Sequence, residues 1–113
     1  MEVNMSPYEA FSSIDLRVGT IVKAELNDKA RVPAYKMWID LGDLGVMTSS
    51  GQYVNRYQAE ELVGKVVVCA TNLGERRIGG FLSQVLVMGV ESETAMVNLL
   101  TVDGTVANGS KVF

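Results

Sequence analysis

Apolar and polar positions alternate over much of this chain with the two-residue period of half-buried β-strands. Ile14, Leu16 and Val18 alternate with Asp15, Arg17 and Gly19; the phase breaks at Ile21 and Val22, and Gly19 is expected to mark a bulge or bend there. After a polar loop over residues 26–34, alternation resumes. Tyr35, Met37, Ile39 and Leu41 fall on one face, Lys36, Trp38 and Asp40 on the other. Gly42, Asp43, Leu44 and Gly45 supply turn chemistry, and residues 45–50 return as the partner strand of a hairpin. The alternation stops over residues 52–64, where 58–62 followed by Gly64 reads as one or two helical turns closed by a glycine cap. Residues 65–71 form a Val-rich strand and 81–90 another, with a short strand at 95–100 and turns at 103–105 and 107–110.

Five strands with one short helix between the third and fourth fit an all-β, five-stranded OB-fold barrel, partly open and of Greek-key connectivity. No repeat or linker interrupts the 113 residues, so residues 1–113 make a single domain with N- and C-terminal extensions. Residues 1–10 and the last three residues, Lys111, Val112 and Phe113, carry aromatics outside the core pattern. Both extensions are expected to pack between the two subunits of a homodimer, the alternative being tails folded back on their own barrel.

Composition adds three exclusions. With 48% hydrophobic and 20% charged residues the chain has ordinary globular usage, which argues against disorder. No apolar run approaches the roughly 18 residues that span a bilayer, and the N-terminus lacks the basic start and apolar stretch of a signal peptide. A cytoplasmic protein without membrane insertion is expected. Ten Lys and Arg against 13 Asp and Glu give a net charge of −3, which counts against a general nucleic-acid coat. It still permits a local basic patch built from Lys29, Arg31, Lys36, Arg76 and Arg77.

Catalysis finds little support. The absence of His removes the commonest proton shuttle and metal ligand, the paired glutamates lack calcium-loop spacing, and no Walker A or dinucleotide fingerprint is present. No enzyme, metal or cofactor is expected. The single Cys69, set among valines, reads as a small buried hydrophobe.

Binding is better supported, and its centre is residues 72–89, which hold two arginines, four glycines and Ser83-Gln84 amid strand patterns. Arg76 and Arg77 offer planar guanidinium groups to phosphate or exposed bases, or simply solubilise a loop. Trp38, on the polar face of its strand, suits base stacking, a peptide anchor or a subunit contact. Ser49, Ser50, Gln52 and Asn72 have donors suited to RNA but equally to turn amides. A different reading is a chaperone that holds unfolded or export-bound polypeptides, with Met37, Trp38, Met47 and Phe113 as peptide-binding or interface candidates.

Phe11, the run Ile14-Asp15-Leu16-Arg17-Val18-Gly19-Thr20-Ile21-Val22, Pro33-Ala34-Tyr35-Lys36, Ser49-Ser50 with Gln52, and Arg76-Arg77-Ile78 with Gly80-Phe81 and Ser83 together resemble one family. It is the tRNA-binding domain found free-standing in CsaA and appended to some methionyl-tRNA synthetases. The resemblance covers residues 11–113 and points to the CsaA branch. It implies a cytoplasmic OB-fold homodimer without catalysis or cofactor, tRNA recognised by shape, and an alternative role in protein export as a chaperone. The RNA-facing residues it implies are Asn72, Arg76, Arg77 and Ser83, with Lys36, Ser49, Ser50 and Gln52 around the same barrel face. Three departures stand out: Leu73-Gly74-Glu75 replaces a proline-containing segment, Gln84 stands where an acidic residue is expected, and Tyr53-Val54-Asn55 replaces a more usual Ile-Thr.

Overall fold

A computed structural model describes residues 4–113; residues 1–3 of the expected 1–10 extension lie outside the described residues. The extension is not a featureless lead. Pro7–Ser12 form a helix, α1, because Ser6 and Glu9 make a reciprocal capping box and Pro7 occupies the first turn, where its missing N–H costs nothing. The chain therefore has a second helix besides the expected one.

The sheet begins with β1 (Leu16–Asn27), β2 (Ala34–Asp40) and β3 (Val46–Gly51), followed by a second short helix, α2 (Ala59–Leu62), and β4 (Val66–Ala70). All strand pairs are antiparallel, and the long β1 is shared. Its first half pairs with β4 from Leu16↔Ala70 to Thr20↔Val66, and its second half pairs with β2 from Thr20↔Asp40 to Asn27↔Ala34. The bulge falls at Val22, not at Gly19: the register steps from Ile21↔Ile39 to Lys23↔Trp38, leaving Val22 unopposed. Gly19 serves close approach instead, since a Cβ there would stand 2.6 Å from Ile39 and 2.7 Å from Leu41.

The expected last long strand is broken into pieces. Arg76–Ile78 (β5) and Phe81–Ser83 (β6) form their own ribbon, followed by β7 (Leu86–Val87), β8 (Gly89–Glu91), β9 (Val97–Leu99) and β10 (Lys111–Val112). The main sheet runs β3-β2-β1-β4-β7, with β10 added beside the start of β1. It curls back on itself. Gln84 and Val85 donate their amides to the Thr48 carbonyl at 2.8 and 3.1 Å, and the Ser49 hydroxyl donates to the Val85 carbonyl at 2.7 Å, closing β3 against the segment before β7. This is the OB-type barrel expected from the strand pattern.

Tyr35, Met37, Ile39 and Leu41 point inward as the alternation predicts, joining Ile21, Tyr53, Tyr57, Leu62, Val67, Cys69, Val85 and Val87 in one core. Burial pushes the Cys69 thiol up to about 12, so it remains protonated. Met37 has no exposed surface, which removes it from any peptide-binding surface. Met37→Ala is expected to cost about 2–5 kcal/mol in urea unfolding, the range for truncating a core methionine, whereas Met37→Leu should cost under about 1.5 kcal/mol.

Candidate nucleic-acid interface

The outward side of β1, β2 and β3 carries Lys23 and Glu25, then Lys36 and Trp38, then Thr48 and Ser50, because these positions are opposed in register and alternate with the core residues. Glu25 bridges two cations, reaching Lys36 at 3.2 Å and Lys23 at 3.8 Å. Trp38 meets Phe81 edge to face, with centroids 5.3 Å apart, while Lys23 lies 4.5 Å from the Trp38 ring and Lys36 lies 5.8 Å from that of Phe81. The result is an amphipathic patch of π-faces and cations. Sequence reasoning singled out Trp38 and Lys36 but missed Lys23 and Phe81; the signal for Lys23 was its place on the polar phase beyond the bulge.

Residues 76–83 are a two-residue β-hairpin, not a loop. Ile78 opposes Phe81, and Gly79 and Gly80 have φ of 55° and 79°, the left-handed pair that a tight hairpin of this twist requires. A Cβ on Gly79 would also come within 2.8 Å of the Ala30 amide nitrogen. The hairpin tip therefore lies against the loop over residues 28–33. The buried Asn27 ties them together, donating to the Ile78 carbonyl at 3.0 Å while accepting from the Lys29 amide at 3.1 Å. Lys29, Lys36 and Phe81 line one small groove of about 200 Å³ at this junction, with Asp28 as its acidic member.

Arg76 and Arg77 are consecutive in a strand, so they leave the ribbon on opposite faces. Arg76 lines a groove of about 240 Å³ with Ser50, Ser83, Leu73, Gly74 and Ile78. Arg77 instead donates to the Gly80 carbonyl at 3.3 Å. Both are exposed, and neither belongs to the ion pairs among the described residues, which use only Arg17, Lys23 and Lys36 as cations. Glu75 forms no ion pair with either. It accepts from the Gln84 amide at 3.4 Å, and the Gln84 carbonyl oxygen accepts from the Thr48 N–H at 3.1 Å, so the amide in place of an acid links β3 to Glu75 without repulsion.

The remaining candidates separate. Ser83 stays in the Arg76 groove, its hydroxyl accepting from the Ser50 amide at 3.0 Å. Ser49 is 1% exposed with its hydroxyl spent on Val85, which takes it out of the RNA-facing set. Asn72 has both ends of its amide committed, accepting from the Asp15 N–H at 2.8 Å and donating to the Ser13 carbonyl at 2.9 Å. It is a clamp that fixes the start of β1 to the end of β4. Gln52 lines a different groove, with Val32, Pro33, Val54 and Val97. Met47 is partly buried against the core, and Phe113 is fully outside it.

Beside the Asn72 clamp, Asp15 accepts from the Thr71 hydroxyl and from Arg17 Nε. The Thr71 bond, outweighing partial burial, and then Arg17 hold the Asp15 carboxyl below the usual carboxylate range. Its contribution to stability is present above the ordinary aspartate pKa and lost as pH falls through the lowered folded value. Asp15→Asn is expected to flatten this acid-side loss in urea melts followed from neutral pH downward.

The family model described as "Putative tRNA binding domain" matches residues 16–111. Solved structures of the chaperone CsaA from Bacillus anthracis and Picrophilus torridus are 40% and 38% identical, with TM-scores of 0.89 and 0.88. They cover 97% and 96% of this chain and 100% of their own. A methionine–tRNA ligase from Methanocaldococcus jannaschii is 40% identical over 99 residues, 88% of this chain. The chain spans about 15% of the length of such ligases.

Proposed function

The chain belongs to the tRNA-binding-domain family, and from that premise we propose that it binds tRNA or tRNA-like structured RNA in the cytoplasm as a non-catalytic homodimer. The observation that carries this reading is the junction of two basic segments, residues 28–33 and the β5–β6 hairpin, beside the Trp38–Phe81 pair. Local positive charge is thus collected on one side of a molecule whose net charge is −3. Phosphates meet Arg76, Arg77 and Lys29 at the rim, while Trp38 and Phe81 offer π-faces to any unpaired base.

The homodimer rests on the opposite arrangement at the termini. Helix α1 buries none of its residues, and Tyr8, Phe11 and Phe113 are exposed around a groove of about 270 Å³. Contiguous exposed aromatics of this kind are the material of a subunit interface.

A second reading, a chaperone for unfolded or export-bound polypeptides, is favoured by one observation: an open groove of about 420 Å³ whose walls include Val32, Pro33, Val54, Ala95 and Val97. The solved CsaA relatives carry the name chaperone. Salt separates the readings. Filter binding of total tRNA should weaken steeply between about 50 and 200 mM salt, whereas binding of an unfolded apolar polypeptide should hold or strengthen. A salt-insensitive tRNA complex would contradict the RNA reading.

A further inference from the structure

A second cationic pocket lies at the other end of β4 from the arginine hairpin. It has a volume of about 310 Å³ and is lined by Arg56, Tyr57, Lys65, Asn98, Leu99 and Thr101, together with Val66, the first residue of β4. The buried Tyr57 ring holds two cations at once: the Arg56 guanidinium carbon is 4.3 Å from its centroid and Lys65 Nζ is 5.4 Å away. Neither cation belongs to an ion pair among the described residues, and no Asp or Glu lines the cavity. Two positive groups lining one cavity repel each other, and an anion held there relieves that repulsion.

The polar groups lining the cavity include several donors without a partner among the described residues, which suits an acceptor-rich ligand. Arg56 Nε donates to Asn98 Oδ1 at 3.0 Å, which leaves the Asn98 amide hydrogens and the remaining guanidinium hydrogens as donors. The Tyr57 hydroxyl accepts from the Leu99 N–H at 3.1 Å, fixing ring and strand together. Lys65 adds three donors and Thr101 a hydroxyl. We propose that this pocket binds a phosphoryl oxyanion, with Arg56 supplying a planar donor fork and Lys65 a point charge. The phosphoryl group belongs either to an RNA backbone or to a free phosphate compound. The site stands independently of the RNA reading, because inorganic phosphate alone probes it.

The test is a titration of the ¹⁵N-labelled full chain with sodium phosphate and, at matched ionic strength, with sodium chloride. The expected result is saturable amide shifts at Tyr57, Lys65, Asn98 and Leu99 in phosphate alone, lost in an Arg56→Gln, Lys65→Gln variant. Shifts equal in both salts, or surviving in that variant, overturn the proposal whatever tRNA does. The tRNA arm assigns the source: roughly tenfold weaker binding by the variant, with a salt slope smaller by about 1 to 2, marks an RNA phosphate. Unchanged tRNA binding marks a free phosphate group. Should the double variant fail to fold, the wild-type titration decides, with Lys65→Gln as the milder substitution.

Discussion

A Tyr8→Asp, Phe11→Asp, Phe113→Asp variant is expected to sediment as a folded monomer and to bind tRNA at least about 100-fold more weakly than the unmodified protein. Each barrel carries only a few unpaired cations at the hairpin junction, and the chain as a whole is anionic. One such patch gives modest affinity. Two patches fixed on one dimer turn the second contact into an intramolecular event, and linkage of this kind gains about 10²- to 10⁴-fold when a single folded RNA reaches both. The three aromatics are exposed, at 78%, 49% and 97%, so replacing them should leave the barrel's own stability within about 0.5 kcal/mol. Unchanged urea midpoints with lost tRNA affinity would separate assembly from folding. A folded monomer that bound tRNA as tightly as the dimer would contradict the composite surface.

Arg76→Ala with Arg77→Ala should weaken tRNA binding by about 100-fold and reduce the dependence of log affinity on log salt by roughly 3. In the proposed homodimer that slope follows from four lost phosphate contacts at about 0.7 to 0.9 each. Stability should not change, since neither side chain is ion-paired among the described residues and Arg77 makes a single long bond to its own hairpin. The two positions are not equivalent. Arg76 lines the groove with Ser50 and Ser83, whereas Arg77 leaves the ribbon on the other face, so Arg76→Ala alone should weaken binding more than Arg77→Ala alone. Lysine at both positions should preserve the salt slope but not the full affinity, because the planar donor fork is gone. A wild-type slope in the alanine variant would remove the hairpin from the site.

Much of the barrel is legible in the sequence because its signals are local. The phase of Tyr35, Met37, Ile39 and Leu41 against Lys36 and Trp38 reports which side of β2 meets the core, and the structure keeps that assignment. The break at Ile21 and Val22 announces a bulge, but periodicity does not say which residue is left unopposed; that depends on how β2 registers against β1. Helix α1 has its own signal in Ser6-Pro7 and Glu9, but at six residues it is too short for a helical period to show.

The site was harder to read for a physical reason. Asn27, Ser49 and Asn72 look alike in sequence, as small polar residues near loops. Asn27 ties two distant segments, Ser49 closes the barrel and Asn72 clamps the start of β1, so each is explained by a hydrogen bond spanning at least 36 positions. Likewise Gly79-Gly80 reads as loop material until pairing of Ile78 with Phe81 shows a tight turn. The convergence of residues 28–33 with the hairpin is a tertiary fact, and no spacing rule contains it.

Hydrogen–deuterium exchange of the full chain, with and without saturating tRNA, tests the central claim most directly. The expected result is slowed exchange over residues 27–33 and 76–83 and along β3, the elements that meet around Trp38 and Phe81. A saturated complex in which those segments exchange as in the free protein would contradict it.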